Sequence, residues 1–392
     1  MHIAKKISIV AGGLRAAALC AGLGAAAQVA QAEIHIGVTL STTGPGASLG
    51  IPAEQALKMW PADIAGEKLR MTILNDNSDT TTATKNAQRL ITEDKVDLII
   101  GSSVTPTSLA VVETAGSAQV PVVSLAGGGA IVLPPDGPRR FAFKLSPTEP
   151  ISVGLVLDHL LKAKGKTIAT IGITTSYGEG FLKAIEAAAP AKGIKIVATE
   201  KYNQTDPSVT AQVLKLIAAA PDAVYIFAAG TPGALPQIEL ARRGYKGLVY
   251  QTQGVANNDF LRVGGKDLEG GYMTVAPVLV AEQLPESNPV KKAAMDFVQR
   301  FEAKQGPNSR SLFAATAWDA MLIIQQAARE ALKKARPGTP EFRVALRDAI
   351  ESLHDFVGSE GVYNMTEKDH NGVDSRSQVM VRIENGAWKL QP

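Results

Sequence analysis

The side chains able to do chemistry are sparse in this chain of 392 residues, and their spacing matches few catalytic patterns. Beyond residue 32 the histidines are His35, His159, His354 and His370. His35 falls in a strand-like run and His159 in a helical one, so both read as structural. Asp76 and Asp79 suggest a cation site, but Asn75-Asp76-Asn77-Ser78-Asp79 reads equally as a turn and helix cap. Gly127-Gly128-Gly129 invites a phosphate cradle, yet the Gly-Lys-Ser/Thr of a P-loop does not follow, and no His-Glu-x-x-His occurs. Cys20 is the only cysteine. No catalytic residue, metal ligand or cofactor is assigned on this basis. The chain reads as one that holds a small molecule rather than transforming it, with an α/β enzyme as an alternative of another class.

The elements that would position such a site alternate along the chain. Short apolar runs at Ile34–Leu40, Leu69–Asn75, Val96–Ile100, Val120–Leu125 and Phe141–Leu145 form one series of expected strands. Thr167–Ile173, Ile194–Thr199, Ala223–Phe227, Leu248–Gln251 and Tyr272–Val275 form a second. Most are continuously apolar, as strands covered on both faces must be. Amphipathic segments lie between them: Ala53–Asp63, Thr84–Glu93, Val153–Lys162, Gly180–Ala189 and Pro232–Arg243. The alternation predicts an α/β fold of two parallel-sheet units joined near Ser146–Pro150. Three longer helices are expected at Val290–Lys304, Leu312–Ala335 and Pro340–Leu353, with Phe301, Phe313 and Trp318 in the core. Short strands return from Val362 to Leu390, with Asn385-Gly386 as a hairpin turn.

In open parallel sheets ligands sit beyond the carboxyl ends of strands. The segments at those ends are Ser41 to Gly50, Gly101 to Thr105 and Ala126 to Gly129 in the first unit. In the second they are Thr174 to Gly178, Ala228 to Pro232 and Thr252 to Ala256. All are rich in hydroxyls, amides and glycine, and several lead into helix N-termini, where free N–H groups favour anions. A carboxylate-bearing ligand suits that lining; ordinary turn and cap chemistry would use the same residues.

The first 32 residues read as an export signal. Lys5 and Lys6 precede an apolar run from Ala16 to Ala27, and Ala30 and Ala32 stand at −3 and −1 of a cleavage site that would leave Glu33 first. The run is too short and too interrupted to span a hydrocarbon core of about 30 Å. Leu19 ahead of Cys20 disfavours a lipid anchor, and cleavage would remove the cysteine, leaving no disulfide or thiolate chemistry. Lys5, Lys6 and Arg15 carry the entire net charge of +3, so the remainder is neutral. Neutrality gives no electrostatic case for nucleic acid or an anionic membrane, and no later stretch predicts membrane insertion.

Taken in order, certain segments resemble a known family. They are Gly37-Val38 leading to Ser41, Gly44-Pro45 and Leu49-Gly50; Ile100-Gly101-Ser102-Ser103; Tyr177-Gly178-Glu179-Gly180; Asp206-Pro207-Ser208; Gly358 with Gly361; and His370-Asn371-Gly372. Together they resemble periplasmic solute-binding proteins of the leucine/isoleucine/valine-binding type, receptors of branched-chain amino-acid-type ABC transporters. The resemblance implies two Rossmann-like lobes, three crossings between them, and a cleft that closes by hinge motion. It puts lobe one at 33–146 plus 277–355 and lobe two at 147–276 plus 356–392. By motif it places Leu49, Ser102, Ser103, Ala126, Gly127, Gly128, Tyr177, Gly230, Thr231 and Gln253 around the ligand. It further implies a periplasmic monomer that hands a small carboxylate to a membrane permease; a ligand-sensing ectodomain is the other reading.

Three departures from the amino-acid binders bear on the ligand. Leu49 fills a slot that is often aromatic there. Gln253 stands where they carry a glutamate for the ligand ammonium. Gly230-Thr231-Pro232 lacks their aromatic residue. Losing a charge-assisted hydrogen bond costs an ammonium about 1.5–3 kcal/mol. These departures resemble the branch that binds aromatic carboxylates such as benzoate or phenylpropanoid acids, with Gln253 serving a neutral ring substituent. A branched-chain or other amino acid is the alternative ligand.

Overall fold

A computed structural model describes residues 33–392. The expected export signal, with Cys20, lies outside the described residues.

Strand β1, Glu33–Leu40, is buried at seven of its eight positions and demands cover on both faces. Its neighbours come from both directions along the sheet. The following elements are α1 (Ala47–Leu57), β2 (Asp63–Ile64), β3 (Glu67–Asn75), α2 (Thr80–Thr92), β4 (Leu98–Gly101), α3 (Thr105–Ser117), β5 (Val122–Ser124) and β6 (Ala142–Lys144). They form a sheet of order β2-β3-β1-β4-β5-β6, parallel apart from the short β2. Ala83, Ala87 and Leu90 of α2 and Val111, Val112 and Ala115 of α3 cover one face, over Ile99 and Val122.

The second sheet follows the same logic. It uses α4 (Glu149–Lys162), β7 (Thr167–Ile173), α5 (Ser176–Ala191), β8 (Lys195–Tyr202), α6 (Thr210–Ala218), β9 (Ala223–Phe227), α7 (Ala234–Arg242), β10 (Leu248–Gln251), α8 (Asn258–Gly264) and β11 (Tyr272–Val275). Three helices come next: α9 (Lys291–Gln305), α10 (Leu312–Ala331) and α11 (Pro340–Glu351). A small ribbon, β12 (Phe356–Val357) with β13 (Val362–Tyr363), precedes the closing hairpin β14 (Val379–Glu384) and β15 (Ala387–Leu390). The sheet order is β15-β14-β11-β10-β9-β7-β8, with the hairpin antiparallel. Asn385 and Gly386 both have positive φ, 55° and 70°, as a tight type I′ turn requires. The two-lobed α/β architecture is the one the alternation predicts.

Two details differ from the sequence reading. Helix α1 begins at Ala47 rather than Ala53 and carries Pro52 inside it. Pro52 is the sixth residue of this helix, so the Ser48 carbonyl lacks its usual intrahelical N–H. The segment 356–373, expected with lobe two, hydrogen-bonds instead to α10, α11 and β6. Buried Asp319 on α10 accepts from Ser359 N at 2.7 Å, Glu360 N at 3.0 Å and the Tyr363 hydroxyl at 2.9 Å. His370 Nδ1 donates to the Ala142 carbonyl at 2.9 Å, its ring stacked on Phe143.

The chain passes between the sheets after β6, after β11 and before β14. Asn371 ties two of these passages together, donating to the carbonyls of Lys144 at 2.9 Å and Ser146 at 2.8 Å. No helix among the described residues is long and apolar enough to cross a membrane.

Candidate functional site

In each sheet the chain reverses its direction of winding beside the first strand. β1 lies between β3 and β4, and β7 lies between β8 and β9. Loops leaving such strands splay apart and open a crevice at the carboxyl edge. The loops after β1, β4, β5, β7, β9 and β10 all reach a single cleft between the lobes. About 120 Å³ of it is open to the centres of water-sized molecules. One water needs roughly 10–15 Å³ of such space, so a small organic ligand fits.

Asp76 organises the first-lobe wall. This buried carboxylate accepts from Ser41 Oγ at 2.7 Å, Ser102 Oγ at 2.5 Å and Ser78 N at 3.0 Å. Neighbouring Asp79 caps α2, accepting from Thr82 N at 2.7 Å. The aspartate pair is therefore turn and cap. With Ser102 turned away, Ser103 faces the cleft, its Oγ accepting from Ser41 N at 3.2 Å and its proton still free to donate. Val104, Thr105 and Pro106, the start of α3, complete this edge.

Tyr177 anchors the opposite wall. Its hydroxyl accepts from Gly254 N at 3.1 Å, and burial raises its ionisation well above the ordinary value, so it stays neutral. A Cβ on Gly127 would stand 3.0 Å from the Tyr177 ring, so a side chain here would have to push the ring of the other lobe back. Thr175 stands at the N-cap of α5 without capping it, and its Oγ1 is buried with no partner. Leu312 and Phe313, at the start of α10, add apolar lining, with Leu312 N bonded to the Ala256 carbonyl.

Of the residues placed by motif, Leu49, Ser103, Gly127, Tyr177 and Gln253 border this cleft. The other five are not among its lining residues. Ser102 is consumed by Asp76. Ala126 and Gly128 turn their N–H groups to Ser124 Oγ and Thr105 Oγ1, at 3.2 Å each. Gly230 (φ 74°) packs beneath the Pro45 carbonyl of the other lobe, where a Cβ would stand 2.4 Å away. Thr231 opens the 3₁₀ turn Thr231–Gly233 behind it. Phe313, expected in the core, lines the cleft, while Phe301 and Trp318 are core as expected. Sequence reasoning missed Gln204, two residues past the carboxyl end of β8, and Leu312 and Phe313, which come from a helix start with no strand-end signal.

Gly46-Ala47-Ser48-Leu49-Gly50 has the Gly-x-Ser-x-Gly spacing of a nucleophile elbow. Ser48 Oγ is buried without any hydrogen-bond partner, so no base is in reach of it. His35 meets Thr72 Oγ1 at 2.9 Å and His159 meets Tyr250 Oη at 2.7 Å, both structural uses.

Two α/β lobes with a ligand-sized cleft between their strand ends define a two-lobed binding receptor. The chain belongs to the periplasmic binding protein family, whose model matches residues 33–387. An extracellular ligand-binding receptor from Rhodopseudomonas palustris HaA2 is 42% identical, with a TM-score of 0.89 over 92% of this chain and 100% of that one. The Leu/Ile/Val-binding protein homolog 3 of Brucella melitensis is 26% identical over 76% of this chain and 79% of its own length. A solute-binding protein of an ABC transporter from R. palustris, solved with benzoate, shares the fold at 18% identity. Its TM-score is 0.76, over 91% of this chain and 95% of that one. The family is one of periplasmic binding proteins, and these relatives are named as a Leu/Ile/Val-binding protein and an extracellular ligand-binding receptor.

Proposed function

We propose that this receptor captures a small aromatic carboxylate for an ABC importer. One observation carries the reading: none of the cleft-lining residues is charged, while the N-termini of two helices, α3 and α5, open onto it. Free N–H groups and hydroxyls there suit an anion. A zwitterionic amino acid would leave its ammonium without a counter-charge, in surroundings where an unpaired charge is costly. Leu49, Ile173, Phe313 and the Tyr177 ring supply apolar walls, each Å² buried contributing about 25 cal/mol. The name of the Brucella relative favours a branched-chain amino acid as the second reading.

In this proposal the export signal is removed after Ala32 and the mature protein works as a periplasmic monomer, delivering its ligand to a membrane permease. Intact-mass measurement of periplasmic material is expected to find Glu33 at the N-terminus. Calorimetry separates the ligand classes. Heat is expected from benzoate or cinnamate derivatives, and a ligand at 100 times its Kd adds about 2.7 kcal/mol to stability. Micromolar binding of leucine or valine with no heat from the aromatic acids would refute the aromatic assignment and leave the receptor reading standing.

A further inference from the structure

Gln253 opens the 3₁₀ turn Gln253–Val255 after β10, and its side chain is held from behind. Its Oε1 accepts from Gln378 Nε2 at 2.9 Å, and Gln378 Oε1 accepts in turn from Ser152 Oγ at 2.8 Å. All three residues are buried. The relay joins distant parts of the chain: Ser152 lies on α4 just after the first passage between lobes, and Gln378 just before β14 at the third. Among the described residues Gln253 Nε2 has no hydrogen-bond partner, and it lies 3.9 Å from where a Cβ on Gly127 would stand.

The two ends of a glutamine amide have the same shape and opposite hydrogen-bonding character, so partners decide which end faces a site. Here a hydroxyl donates to one amide, and that amide donates to the next. The last group in line is left with its N–H bonds toward the cleft.

We propose that Ser152 and Gln378 are positioning residues that lock Gln253 as a donor beside Gly127. At that point the cleft selects a ligand atom that accepts hydrogen bonds and rejects one that donates. Resting on the reading above, that atom is a carboxylate oxygen; a ring substituent need not reach Gln253. Donor facing donor leaves both unpaired in a buried site, which is how polar sites reject near-isosteres.

Benzoate and benzamide test this, because they share a shape and differ in whether one atom donates. In the full-length mature protein, benzoate is expected to bind at least tenfold more tightly than benzamide. Gln378→Met removes the lock without adding charge, and Gln253 can then turn its oxygen to the cleft. The benzamide-to-benzoate Kd ratio is expected to fall by at least fivefold, and Ser152→Ala to move it in the same direction. The charge difference between the ligands cancels in that change of ratio. Equal weakening of both ligands in Gln378→Met would mean Gln378 only packs, and would overturn the proposal. A ligand-free readout separates this from failure of the aromatic reading. Gln253 amide protons should show nuclear Overhauser contacts to the Gly127 α-protons in the unliganded protein. Contacts to the Gln378 side chain in their place would overturn the relay, even if the wild type binds neither probe.

Discussion

Adjacent residues of one loop divide the labour of the first lobe. Ser102 faces inward to Asp76 and holds the loop; Ser103 faces the cleft. The sequence placed both at a strand end but carried no signal for which would turn inward, because that depends on Asp76, a residue 26 positions away. Tyr177 was legible because it opens a helix directly after a strand. Tyr177→Ala is expected to weaken ligand binding by about 1–3 kcal/mol through lost ring contact, as calorimetry would show. Unchanged affinity would remove Tyr177 from the site. Lys144 makes a prediction about pH. Burial lowers its ammonium to about 8, with Glu149, Asp369 and Glu360 opposing that shift, while its Nζ donates to the carbonyls of Ser146 and Pro147. Unfolded, a lysine titrates near about 10.4. Below about pH 8 both states hold the proton and the buried cation is a constant cost. Between about 8 and 10.4 the unfolded chain holds more proton, so stability rises with pH. The urea midpoint of the wild type should therefore climb relative to Lys144→Met across that interval; parallel curves would contradict it.

Strands were the most legible elements. Runs such as Ala223–Phe227, buried throughout, have no helical stripe and can only be central strands. Helix α10 shows where legibility stops. Its length and its core residues, Trp318 among them, follow from the pattern of apolar positions. That its first turn would swing Phe313 into the cleft does not, since a core wall and a ligand wall have the same composition. Ser311 caps this helix, accepting from Ala314 N at 3.1 Å. Ser311→Ala is expected to cost about 1 kcal/mol of stability in urea denaturation. Phe313→Ala should lower affinity by removing apolar lining from the cleft.

At the scale of the molecule, the two lobes touch across the cleft. Gly230 lies against the Pro45 carbonyl, and Glu149 at the start of α4 accepts from Gly129 N with both oxygens, at 2.9 and 3.0 Å. Glu149 is not among the cleft-lining residues, and its bonds across the lobes act on the balance between open and closed forms. Glu149→Ala is expected to enlarge the unliganded radius of gyration in solution scattering and to weaken binding, with ligand restoring the compact form. An unchanged radius would show that the clasp does not set closure. The topology also has a consequence in time. Strand β11 pairs with β14 more than a hundred residues later, and Lys144 N bonds to the His370 carbonyl more than two hundred residues later. Lobe one lacks its last segment until about residue 373 and lobe two its closing hairpin until Leu390, so neither can be completed far ahead of the other as the chain emerges. A nascent chain ending before Phe356 should remain protease-sensitive in both halves, and the completed one should be resistant in both.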